Sequence, residues 1–128
     1  MMTTLSRPPD PYEHQRAREL RWSRSEKAAA RKAFDAALNR ELQQLIQETK
    51  QQASRMTQPS ELWDLEHLLT QRRKEIDRKY DNRFSRMTDV LGRLLYEKRL
   101  SDEDLRDVGH DKLRLIRSFA QFLTEDAA

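Results

Sequence analysis

Trp63-Asp64-Leu65-Glu66-His67-Leu68-Leu69-Thr70-Gln71-Arg72-Arg73-Lys74-Glu75-Ile76-Asp77-Arg78-Lys79-Tyr80-Asp81-Asn82-Arg83 decides how this chain is read. The stretch contains no Gly or Pro, and its apolar residues recur every three or four positions, the period of an amphipathic helix. From Gln71 to Arg83 it holds six bases and three acids, with Ile76 and Tyr80 as the only apolar anchors. A helix that only fills a core has no use for so polar a surface. The pattern points to a long helix that presents a partly polar face to a partner.

Working outward, Leu62, Leu65, Leu69, Ile76, Tyr80, Phe84, Met87, Leu91, Leu94 and Leu95 keep helical spacing. They predict one helix from about Ser60 to Lys98, with Ser60 as its cap. Gly92 lies inside it, where glycine costs about 1 kcal/mol relative to alanine. A close crossing by another helix is the preferred reason for it. Upstream, Trp22-Ser23-Arg24-Ser25-Glu26 reads as a capping box with Ser23 at N-cap, Glu26 at N3 and Trp22 as a staple. A first helix should follow over 24–54, with a stripe of Ala30, Phe34, Leu38, Leu42, Leu45, Ile46, Thr49 and Ala53. Downstream, Leu100-Ser101-Asp102-Glu103-Asp104 starts a short helix over 102–108 that ends at Gly109. A last helix runs over 111–123. The predicted fold is all-α: two long antiparallel helices, one short helix and one C-terminal helix. Pro8, Pro9 and Pro11 exclude an early helix, so residues 1–21 are expected to be a flexible arm and 22–125 a single helical domain.

Composition narrows the function classes. The chain has 128 residues, 37% charged and 36% hydrophobic. That is polar for a globule, yet too rich in periodic leucine for disorder. It has no cysteine, which excludes disulfides and thiolate chemistry and fits the cytoplasm. The first residues lack the apolar segment of a signal peptide, and no run approaches the ~20 apolar residues of a membrane span. With His67 beside Glu66, His14 in the arm and His110 in a turn, no metal-ligand spacing appears. Neither a catalytic triad nor a phosphate-cradling loop has supporting context. Enzymatic activity, metals and cofactors are therefore not expected. The basic run over 71–83 raises nucleic-acid binding. However, Arg73–Asp77 and Glu75–Lys79 are i,i+4 pairs that compensate much of its charge internally. A solvated helix face is the better account.

Assembly follows from length. A helix of about 38 residues is about 57 Å long, while a 128-residue globule is only roughly 36 Å across. The second helix should overhang and bury its surplus apolar face against a second copy. The first-helix residues Phe34, Leu38, Leu42, Leu45 and Ile46 are assigned to a two-fold dimer interface. On the second helix, Trp63, Glu66, His67, Thr70, Arg73 and Lys74 form one contiguous strip at 100° per residue. Trp and Arg are common interface anchors, which suits a partner-binding surface. The plainer alternative, somewhat favoured by geometry alone, is that Trp63 packs over the helix start while the charges are merely solvated.

Five segments in order resemble the fluorescence recovery proteins of cyanobacterial photoprotection. They are Trp22-Ser23-x-x-Glu26, Phe34-x-x-Ala37-x-x-Arg40-Glu41-Leu42-x-x-Leu45, Trp63-x-Leu65 through Arg73, Glu75-Ile76-Asp77-x-Lys79-Tyr80-Asp81-x-Arg83, and Asp111-Lys112 with Ile116. The resemblance covers about residues 22–116. It implies an all-helical dimer that binds the C-terminal domain of the photoactivated orange carotenoid protein. Such a protein speeds the client's return to the resting orange form and its release from the phycobilisome, without covalent chemistry. It also implies that Trp63 and Arg73 carry the family's functional Trp and Arg. Two positions depart from the pattern. The family has His then Asp where this chain has Glu66 then His67, and it has an apolar or aromatic residue near Asp89. A helical dimeric adaptor with another protein client is the alternative on the same scaffold. A small basic nucleic-acid-binding protein is the alternative from another class.

Overall fold

The computed structural model describes residues 20–127, so most of the expected arm lies outside the described residues. The described chain is all-helical. Helix α1 spans Arg24–Arg55, α2 Glu61–Lys79, α3 Met87–Tyr96 and α4 His110–Ala127. Short 3-10 turns at Phe84–Arg86 and Glu103–Leu105 complete it.

The start of α1 follows its sequence signal. The Ser23 hydroxyl accepts from the Glu26 amide at 3.1 Å, and Glu26 Oε1 accepts from the Ser23 amide at 3.0 Å. Each satisfies a donor that a helix N-terminus otherwise leaves bare. Trp22 reaches beyond its own helix. Its ring meets Phe84 edge-on at 5.2 Å, and Lys112 Nζ lies 5.4 Å from its ring centre.

The second long helix is a correction. It stops at Lys79, and the chain leaves helical geometry at Tyr80 (φ −91°, ψ 66°) and again at Arg83 (φ −72°, ψ 136°). No Gly or Pro causes the break, so contacts with α1 and with the residue before its N-cap must hold it. Tyr80 donates to Glu41 at 2.8 Å, Arg31 donates to the Asn82 carbonyl at 3.2 Å, and Phe84 packs on Trp22. Three smaller expectations also change. Ser60 precedes α2 without a side-chain cap, and Glu61 instead accepts from the Thr57 and Gln58 amides. The helix expected over 102–108 shrinks to a 3-10 turn. The last helix starts one residue earlier and runs to Ala127.

The break divides the molecule into a helical arm, distinct from the N-terminal segment expected to be flexible, and a head. In the arm, α1 and α2 run antiparallel, as the bridges Glu41–Lys79 and Glu48–Arg72 show by their opposite order. In the head, α3 packs on the first half of α1 and α4 packs chiefly on α3, with Lys112 of α4 reaching Glu26 of α1. Met87, Leu91, Leu94, Leu105, Val108 and Ile116 are fully buried there, against Ala30, Ala33, Phe34 and Ala37. The alanines bring α1 close, and Gly92 does the same for α4, whose Phe119 and Ile116 lie against it. Gly109 adopts φ 102° at the turn into α4, the left-handed region that glycine enters without steric cost. The longest helix is thus α1. At 32 residues it is about 48 Å long, and beyond Gln44, which still meets Arg99, its last turns run beside α2.

Candidate partner-binding surface

On α2 the predicted strip faces outward. Trp63 is 71% exposed. Glu66, His67, Arg73 and Lys74 are exposed, and Thr70 is half-buried. Thr70 donates to Glu66 at 3.2 Å, and Arg73 Nε pairs with Asp77 at 3.8 Å along the helix. The helix start covers little of Trp63, while the exposed charges suit a solvated face as well as a binding one. Leu62, which the strip omitted, is also exposed beside Trp63. Ten residues separate Trp63 from Arg73, about 15 Å of helix.

Arg73 also borders a second feature. A groove of about 480 Å³ runs between α1 and α2, lined by Phe34, Leu38, Leu42, Leu45, Ile76 and Tyr80, with Arg73, Asp77 and Asn82 around it. The residues assigned to a dimer interface thus divide. Phe34 belongs to the core, Leu38 and Leu45 are half-buried, and Leu42 and Ile46 remain 41% and 43% exposed. Ala53, at the end of the predicted stripe, is exposed.

Residues 22–120 match the family of the photoprotection regulator fluorescence recovery protein. The chain belongs to the fluorescence recovery protein family. It is 38% identical over 103 residues to the fluorescence recovery protein of Synechocystis sp. PCC 6803, covering 80% of this chain and 94% of that protein. The solved structure of the Synechocystis protein superposes with a TM-score of 0.74, covering 79% of this chain and 99% of that one. The fluorescence recovery protein of Fremyella diplosiphon gives the same TM-score and coverage at 33% identity. The family consists of regulators of photoprotection rather than enzymes. Among the described residues no helix is long and apolar enough to cross a membrane.

One constellation joins residues that the sequence showed only as separate motif positions. Glu41 is a buried carboxylate on α1, 5% exposed. It accepts from Tyr80 Oη at 2.8 Å and Lys79 Nζ at 2.9 Å, with Arg99 Nε 3.2 Å away. Lys79 and Arg99 also reach Glu97, at 2.8 and 3.1 Å. The predicted Glu75–Lys79 pair is thereby corrected: Lys79 turns into the molecule and serves two other acids. Burial works against the Glu41 charge, but hydrogen bonds from Lys79 and Tyr80, with the charges of Lys79 and Arg99, outweigh it. Its pKa ends below the ordinary value. Burial first, and then Glu41, push the Tyr80 phenol well above its usual range. Further along, the Arg40 guanidinium and the Ser101 amide hold Asp104 down to about 2.

These carboxylates set a pH dependence. A carboxylate whose folded pKa is depressed stabilises the fold above its unfolded pKa, and that stability is lost as pH falls through the folded value. The reference values are 4.5 for Glu41 and 3.8 for Asp104. The melting temperature should therefore be flat from neutral pH down to about 5 and fall between there and about 2. Circular-dichroism melts across this range check it, and Glu41→Gln should flatten the slope. A melting temperature that rises on acidification contradicts the reading.

Proposed function

We propose that this chain is a dimeric regulator that binds the C-terminal domain of a photoactivated orange carotenoid protein, speeding its return to the resting orange form and its release from the phycobilisome. The observation that carries the reading is Trp63, a large aromatic standing in solvent on the α2 face that also holds Arg73. It lies within the segment that matches the family. A regulator of this kind breaks no bond. It binds the client's intermediate conformer more tightly than the activated one, and each 1.4 kcal/mol of that difference is worth about tenfold in rate. The setting proposed is the cytoplasm, with no cofactor and no nucleic acid. The assay is the dark red-to-orange recovery rate with and without the protein. An unchanged rate together with no binding to the carotenoid protein overturns the assignment.

A second client on the same scaffold has one observation in its favour. At Asp89, where the resemblance implies an apolar or aromatic side chain, the carboxylate forms an ion pair with Arg86 at 3.3 Å. With Glu66 and His67 both exposed in an unusual order, the surface presented to a client is altered. Binding to a different protein, with none to the carotenoid protein, would favour this adaptor reading.

Dimerisation through the α1–α2 groove is part of the proposal. Leu42 and Ile46 gain a dry contact only if another apolar surface covers them. Ile46→Glu would place a charge there, weakening the dimer by at least about a hundredfold, or about 3 kcal/mol. Sedimentation should show the parent as a dimer at tens of micromolar and the variant as a monomer. A monomeric parent removes this part of the proposal.

A further inference from the structure

The ring of Glu41, Lys79, Tyr80, Glu97 and Arg99 joins three elements at the point where arm meets head. Glu41 comes from α1, Lys79 and Tyr80 from the end of α2, and Glu97 and Arg99 from the turn after α3. Lys98, at φ 63°, closes that turn. The ring balances two carboxylates against two cations, and among the described residues no buried side-chain N or O atom lacks a partner. Its ionic side chains are 6–23% exposed.

We propose that this ring fixes the angle at which the head stands on the arm, with Glu41 as the positioning residue. Apolar contacts are non-directional and tolerate small rotations, whereas hydrogen-bonded ion pairs accept a narrow range of geometry. A buried ion network is a weak source of stability, because desolvation offsets the attraction, and its best-attested use is to specify one arrangement. The arm–head joint is where such specification matters. On the α2 side the chain there has no helical continuity, whereas α1 runs unbroken through the joint, and the neighbouring groove leaves α1 and α2 partly unpacked. The angle has a functional consequence that rests on the proposed client reading. The arm exposes Leu62 and Trp63, and the head exposes Phe122, stacked on Phe119 at 6.1 Å. One client can engage both patches only if their spacing is held.

The test separates position from stability. The chain has no cysteine, so Gln71→Cys on the arm and Arg114→Cys on the head, both exposed, supply the only spin-label sites. Labelled protein diluted with unlabelled protein reports the intramolecular arm–head distance. In this background Glu41→Gln keeps an acceptor for Tyr80 but unbalances the charge. The triple replacement Glu41→Met, Lys79→Met and Tyr80→Phe removes one acid, one base and the hydroxyl, leaving Glu97 and Arg99 paired. The triple variant should melt at or above the parent temperature, yet its distance distribution should widen at least about twofold. Its acceleration of client recovery should fall at least about fivefold, while Trp63 still docks. A distribution as narrow as the parent's overturns the positioning role. Parental recovery despite a widened distribution overturns the link to the client. A parent that accelerates no client defeats the functional reading alone, since the distance measurement needs no client.

Discussion

Replacing Gly92 with leucine is expected to unseat α4 from α3. A Cβ at position 92 would lie 2.8 Å from the Ile116 carbonyl oxygen and 2.9 Å from the Phe119 Cβ. Neither is the free end of a flexible side chain, so one helix must move. Around the contact lie Leu91, Leu94 and Ile116, all fully buried, and separating the helices opens this core. Overpacking of this kind costs about 1–3 kcal/mol for small additions and more for large ones. Gly92→Ala should therefore lower stability even though alanine improves helix propensity by about 1 kcal/mol. Gly92→Leu should lose more than about 3 kcal/mol, a fall of more than about 10 °C in melting temperature. An alanine variant that melts at or above the parent would show that the crossing has room to spare.

Trp63→Ala should do the opposite, leaving the fold intact and weakening the proposed partner contact. At 71% exposure the indole contributes little to the monomer's core, and alanine is the better helix former. The helical circular-dichroism signal should be kept. Affinity for the carotenoid protein's C-terminal domain should fall about thirtyfold, since a typical interface hot spot is worth about 2 kcal/mol. Trp63→Phe should keep part of the affinity by retaining a ring. Undiminished binding by Trp63→Ala, measured by calorimetry against a parent that binds, would move the site elsewhere on the surface.

Where the sequence was informative, the signal was local. The Ser23–Glu26 box, the Gly92 crossing and the Gly109 turn each rest on a steric or capping rule that acts within a few residues. The break at Tyr80 has no such local cause. Its residues keep helical spacing on both sides, and the force that bends the chain comes from Glu41 and Arg31 on α1 and from Trp22, distant in sequence. The Glu41 ring is hidden for the same reason. On a helical wheel Glu41 looks like another charge beside the apolar stripe, and only the fold brings Glu97 and Arg99 to it. The candidate surface was legible as a strip, because a helix face follows from spacing alone. Its meeting with the groove at Arg73 depends on how α1 lies against α2, which spacing does not encode.

The two tryptophans of this chain occupy different modules. Trp22 is half-buried where the start of α1 meets the head, between Phe84 and Lys112. Trp63 stands in water far along the arm. The intrinsic emission of the protein is thus the sum of two reporters with different tasks. The red-edge component follows whatever covers the arm, and the component from the shielded indole follows whether the head is seated.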